Sequence, residues 1–177
     1  TRVGNRDAAA APHAALPCRG DDRWIPMACF GDEEWRALCV AMGEPALADD
    51  ARFATFAARK RNEDALEERV GAWTRGHEPH PLMERLQAAG VRAGVVQDYA
   101  DLHADPQLAA RGHFVPLVHE HLGPLPFERS GFRLSDSPGG YATPGPHLGA
   151  HTRDVLGDLL GMGADEIAAL ERDGVLV

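Results

Sequence analysis

Nine histidines are spread along the 177-residue chain, and two groupings have a spacing that bears on chemistry. His77-Glu78-x-His80 is one residue short of the H-E-x-x-H helix that sets two imidazoles on one face, and Pro79 and Pro81 argue against a regular helix there. His119 and His121 would share one face of a strand, with His113 joining them only through a bulge or from another face. Imidazoles turned to solvent on a half-exposed strand are the expected reading, and no metal site is expected. Ser130, Ser135 and Ser137 lie outside any G-x-S-x-G pattern, in a stretch where turn formation explains them. Cys18, Cys29 and Cys39 form no C-x-x-C and fall on β-prone or apolar helical positions, where each reads as a small buried hydrophobe. Glu33, Glu34, Asp64, Asp165 and Glu166 occupy predicted first helical turns, where helix polarity accounts for them. Asp49-Asp50 ahead of Arg52, Arg59 and Arg61 reads as a surface charge network. Residue type and spacing alone assign no catalytic group.

The elements that must carry these residues are legible in outline. Residues 1–13 read as loop. Ala14–Cys18 and Arg23–Phe30, split by Arg19-Gly20-Asp21-Asp22, read as a hairpin. Asp32 is the expected N-cap of a helix whose apolar side is Trp35, Leu38, Cys39 and Met42, stopped by Gly43. Further helices are expected from Asn62, with Leu66, Val70 and Trp73 inward, and from Pro81 to Ala89, with a short strand over Val91–Val96 covered by those helices. Asp98 and Asp105-Pro106 open two short helices, and Phe114–Val118 is a strand candidate. Residues 123–146 are expected to be turns, with a short strand near Phe132–Leu134. Two helices, Thr152–Leu160 and Asp165–Arg172, close the sequence.

Composition narrows the partners. The 18 basic residues against 27 acidic ones give a net charge of −9, which opposes nucleic-acid binding. Lys60 is the sole lysine and no glycine-rich run precedes it, so the phosphate loop of ATPases is excluded. No apolar run approaches the ~20 residues that span a bilayer, no secretory signal opens the sequence, and a cytoplasmic setting is expected. The first residue is Thr1 rather than Met, and "TRVGNRD" has no element pattern, so the sequence is expected to begin within a longer protein.

Five segments, in order, carry a resemblance: "GNRDAAAAPHAALPC", "GDDRWIPMACFGDEEWRALCVAMG", "LADDARFATFAARKRNEDAL", "AAGVRAGVVQDYADLHADPQLAARGHF" and "RLSDSPGG…PHLGAHTRDVLGDLLG". Together they resemble the C-terminal portion of class III CoA-transferases, the family of formyl-CoA transferase and the carnitine and bile-acid CoA-transferases. The resemblance implies an α/β fold. Residues 1–96 would be a small α/β domain, a short sheet covered by helices, and 97–177 a linker returning to a Rossmann-like large domain. It also implies an interlocked homodimer, with the chain's own N-terminal half as its partner. The implied chemistry moves CoA from an acyl-CoA to a carboxylic acid through an aspartyl anhydride and an enzyme thioester, with CoA as substrate and no metal or redox cofactor.

The family's nucleophilic aspartate lies N-terminal to these segments, so no aspartate here is carried over as catalytic, and cofactor-binding residues stay unassigned. Asn5, Pro12 and His13 align with a substrate loop and are the candidates nearest the active site. Where formyl-CoA transferases have a glycine run, this sequence has Arg6-Asp7 and four alanines, which counts against formyl and oxalate specificity because alanine enters φ > 0 poorly. A non-catalytic dimerisation or regulatory domain, or part of an acyl-CoA racemase-like enzyme, remains the alternative. Faces meant for the large domain would be exposed in the isolated chain and favour self-association.

Overall fold

The computed structural model describes residues 2–176, which fall into two compact units, the first ending at Asp98 and the second beginning at Tyr99. In the first unit, β1 (His13–Pro17) and β2 (Trp24–Ala28) pair antiparallel from His13↔Ala28 to Pro17↔Trp24. The turn between them closes through Cys18 N–H donating to the Arg23 carbonyl at 2.8 Å. β3 (Arg92–Ala93) adds to the other side of β2, giving the order β1-β2-β3. Alternation sends Ile25 and Met27 inward and leaves Trp24 and Pro26 exposed.

Four helices and a turn follow: α1 (Asp32–Met42), a 3₁₀ turn (Pro45–Asp49), α2 (Phe56–Arg61), α3 (Glu63–Thr74) and α4 (Pro79–Ala88). α3 packs on β1, and α4 on β2 and β3. One core joins Leu16, Ile25 and Met27 of the sheet to Trp35, Leu38, Leu66, Val70, Leu82 and Leu86 of the helices. Each such side chain contributes about 1.5–3 kcal/mol on burial. Gly43, at φ 78°, ends α1 in the left-handed conformation that glycine adopts without strain.

Two details differ from the sequence expectation. Gly31, not Asp32, caps α1, and the Asp32 carboxylate instead accepts from Arg59. α4 begins at Pro79 because the first helical turn has no carbonyl for those N–H groups to reach, so proline loses nothing there.

The second unit holds α5 (Tyr99–Ala104) and α6 (Pro106–Ala110), the latter capped by Asp105, whose carboxylate accepts from Leu108 N–H at 2.9 Å. A hairpin of β4 (Phe114–His119) and β5 (Gly123–Glu128) follows. β5 corrects the expectation of turns over 123–146, and no strand forms at 132–134. Pro116 faces Pro126, and Pro124 faces Val118 one period away. The prolines therefore all share the non-hydrogen-bonded positions of the ladder, where a missing N–H costs nothing. α7 (Thr152–Asp154) runs into a π-helical turn (Val155–Leu159), Gly161 ends it, and α8 (Ala164–Arg172) follows. Among the described residues of this unit only Ile167 is buried. No helix of the described residues is long and apolar enough to cross a membrane.

Candidate functional site

The strand register builds a row across the outer face of the first sheet. His13 lies opposite Ala28, and Ala28 opposite Arg92, so a histidine and an arginine flank a methyl group. Between strands about 4.8 Å apart, that small central residue leaves a depression. The result is a cavity of about 430 Å³ lined by Asn5, His13, Ala15, Pro26, Ala28, Arg92 and Gly94, with parts of Ala14, Met27 and Ala93.

Both polar walls are held in place. His13 Nδ1 contacts the backbone carbonyl of Asn5. A carbonyl only accepts, so Nδ1 carries a proton and donates it there, which fixes the orientation of the ring. The imidazole also meets Phe30 edge-on, with centroids 6.5 Å apart. The Arg92 guanidinium lies over the Phe30 ring at 4.6 Å and sits 3.4 Å from Glu34 Oε1. Glu34 Oε2 accepts from Phe30 N–H at 2.6 Å, fixing the ring that both residues touch. An arginine with donors to spare on one wall is suited to receive a carboxylate, with the imidazole on the other wall as a second hydrogen-bonding group.

The loop leading to His13 is ordered by three cations. Arg6 pairs with Asp64, and with Glu67 at 3.3 Å, on α3. Lys60 Nζ donates to the Asp7 carbonyl at 2.8 Å and to Glu63 at 2.7 Å. Arg59 is fully buried and donates to the Ala11 carbonyl at 2.9 Å, the Phe53 carbonyl at 3.1 Å and Asp32 Oδ1 at 2.8 Å. Its place in the core corrects the reading of Arg59 as part of a surface network, whereas Arg52 does pair with Asp50 on the surface at 2.6 Å. The alanine run folds as a turn: Asp7 accepts from Ala9 N–H at 2.7 Å, and Ala10 and Ala11 are buried.

Of the residues singled out from sequence, Asn5 and His13 meet at one cavity wall. Pro12, joined to Ala11 by a cis peptide bond, is buried, and its carbonyl accepts from Cys29 N–H at 3.0 Å. It supports the strand rather than lining the cavity. Arg92, Phe30 and the Glu34 tether were missed, since only the register reveals that Arg92 stands across from His13. All three thiols are buried; burial raises Cys18 and pushes Cys29 and Cys39 up to about 12, which leaves no reactive thiolate at neutral pH. His77 Nδ1 is engaged by the Trp73 carbonyl at 2.9 Å, and His77, Glu78 and His80 form no three-ligand cluster among the described residues. Ser130 and Ser137 line a separate cavity within the second unit, beside Arg111, Arg129, Arg133 and Tyr141.

The family model described as CoA-transferase family III matches residues 1–152. A probable CoA-transferase of Mycobacterium tuberculosis is 37% identical over 165 residues, covering 93% of this chain and 21% of its own length. The succinyl-CoA–D-citramalate CoA-transferase of Chloroflexus aurantiacus is 33% identical over 175 residues, covering 99% of this chain and 43% of its own. A crystal structure of a CaiB/BaiF family protein from Brucella suis superposes with a TM-score of 0.78 at 31% identity, covering 89% of this chain and 40% of that one. The chain thus spans less than half the length of each of these relatives.

Proposed function

The chain belongs to CoA-transferase family III, and from that membership we propose that it is the C-terminal portion of an enzyme that moves CoA from an acyl-CoA to a carboxylic acid. The observation that carries the reading is the family match over 1–152, joined to a cavity whose walls are Asn5, His13 and Arg92.

In this reading an aspartate supplied by the N-terminal half attacks the thioester carbonyl, forming a mixed anhydride and expelling the CoA thiolate. The thiolate then attacks the aspartyl carbonyl, giving an enzyme thioester and the free donor acid. The acceptor carboxylate reverses both steps, and atoms balance with no redox partner or metal. Arg92 would receive a carboxylate group of donor or acceptor, and His13 would hydrogen-bond to the same substrate from the other wall. The name of the succinyl-CoA–D-citramalate relative makes dicarboxylic acids the first acceptors to try.

Burial in the second unit supports a large-domain partner. With only Ile167 buried among its described residues, and Val118, Leu122, Phe132 and Leu159 exposed, it carries apolar surface of the kind that packs on another body. A homodimer built from two full-length chains is part of the same proposal.

The test assays CoA exchange between succinyl-CoA and a panel of carboxylic acids. The 177-residue chain is compared alone, with its N-terminal half co-expressed, and as the full-length protein. No exchange by the chain alone and exchange once the N-terminal half is present is the expected result. Turnover by the chain alone would overturn the absent-nucleophile reading, and an inactive full-length protein across the panel would overturn the transferase reading.

A further inference from the structure

A cluster outside the candidate site has the composition of a metal-binding site. Glu120, His121 and His147 each offer one ligand atom, and these atoms all lie within 4.8 Å of one another. His147 Nδ1 and Glu120 Oε2 are 3.3 Å apart. That is about the spacing of two ligand atoms on a tetrahedral ion with bonds of about 2.0–2.1 Å. The His121 and His147 rings stand 4.9 Å apart at 68° to each other. The rings therefore approach edge to face rather than stacked in parallel.

The backbones that present these side chains are fixed. The β4–β5 ladder runs to the pair His119↔Gly123, which pins Glu120 and His121 in the hairpin turn. His119 Nδ1 accepts from the N–H groups of His121 at 3.1 Å and Leu122 at 3.2 Å. His119 thus organises the turn through its Nδ1. On the other side, the His147 carbonyl accepts from Ala150 N–H at 3.1 Å, and the Gly149 carbonyl from Thr152 N–H at 3.0 Å, leading into α7. The sequence pattern pairs His119 with His121; the fold instead pairs His121 with Glu120 and a histidine 26 positions on.

We propose that Glu120, His121 and His147 bind one divalent late first-row transition metal ion, of which Zn²⁺ is the reference. Two imidazoles and one carboxylate suit such an ion, whereas Mg²⁺ and Ca²⁺ prefer all-oxygen sites. Water completes the coordination, since all three residues are exposed. The ion ties the hairpin tip to the chain ahead of α7. It thereby closes a loop in which residues 129–146 contain no helix or strand.

The test is a calorimetric Zn²⁺ titration of the tag-free 177-residue chain after chelator treatment, with Co²⁺ absorption as a second readout. One Zn²⁺ per chain is expected, undisturbed by excess Mg²⁺, with Zn²⁺ slowing proteolysis within residues 129–146. His121→Ala and His147→Ala should each weaken binding about tenfold or more and abolish that protection. A His77→Ala/His80→Ala double variant should bind as the parent does. A plain histidine–carboxylate contact, seen as no saturable binding, would overturn the proposal. So would stoichiometric binding that persists unchanged in both the His121 and the His147 variants.

Discussion

Replacing Arg59 with methionine tests whether the chain leading into His13 depends on one buried cation. Methionine keeps an unbranched apolar stem in the core but donates nothing. The Ala11 and Phe53 carbonyls, which accept from Arg59 at 2.9 and 3.1 Å, would lose that partner. A buried acceptor left unsatisfied costs about 1–3 kcal/mol. The bond to Asp32 adds at most about 1 kcal/mol, because that side chain is 41% exposed and solvent screens the pair. The guanidinium also lies 5.7 Å from the Trp35 ring centre, a contact methionine replaces only in part. A loss of about 3–5 kcal/mol follows, of the size seen when a buried polar network loses one member. Urea unfolding followed by tryptophan fluorescence reads it cleanly, since Trp24, Trp35 and Trp73 all lie in the first unit. Arg59→Lys keeps the charge but cannot span three acceptors, and should fall between parent and Arg59→Met. Because Ala11 and Pro12 lead directly into His13, the His13 imidazole resonances should move in both variants. A stability within about 0.5 kcal/mol of the parent, with unchanged His13 resonances, would refute the argument.

Gly71 lies inside α3, where a Cβ would meet Leu16 Cδ2 at 3.7 Å and Pro17 Cδ at 3.9 Å, ordinary contact distances. Gly71→Ala should therefore stabilise the first unit by about 0.5–1 kcal/mol, visible as a higher urea midpoint; destabilisation would show that the helix cannot sit this close to β1 with a methyl present. The Arg52 guanidinium and backbone N–H beside Asp50 hold its carboxyl at about 2, below the ordinary 3.8. The pair is thus fully formed at neutral pH and is lost as pH falls through about 2. An NMR titration of the Asp50 carboxyl should give that low midpoint and show it rising in Arg52→Ala; an unmoved midpoint would contradict the assignment.

Much of the first unit was legible because its signals are local. The β1–β2 hairpin shows as β-prone runs around Arg19–Asp22, and α1 shows as Trp35, Leu38, Cys39 and Met42 on one side. α2 was not legible for a physical reason: its buried residues are Ala58 and Arg59, so hydrophobic periodicity has almost nothing to register. β5 was hidden by Pro124 and Pro126, which read as breakers until the ladder shows that neither occupies a position needing an N–H donor. The α7 helix passes into a π-helical turn that no residue pattern announces.

The residues around the cavity were reached by different routes. Asn5 and His13 came from likeness to a family, and they meet because the Asn5 carbonyl engages His13 Nδ1. Arg92 came from neither composition nor likeness, since its place opposite His13 depends on two successive strand registers spanning 79 positions. The same holds for Arg59, whose three acceptors lie at positions 11, 32 and 53. Polar residues that build the site are thus specified by partners far away in the chain, whereas the apolar core is specified by neighbours three and four residues apart. In this fold the hydrophobic pattern decides where the sheet and helices go, and buried or tethered cations hold in place the polar residues around the cavity on the outer face of the sheet.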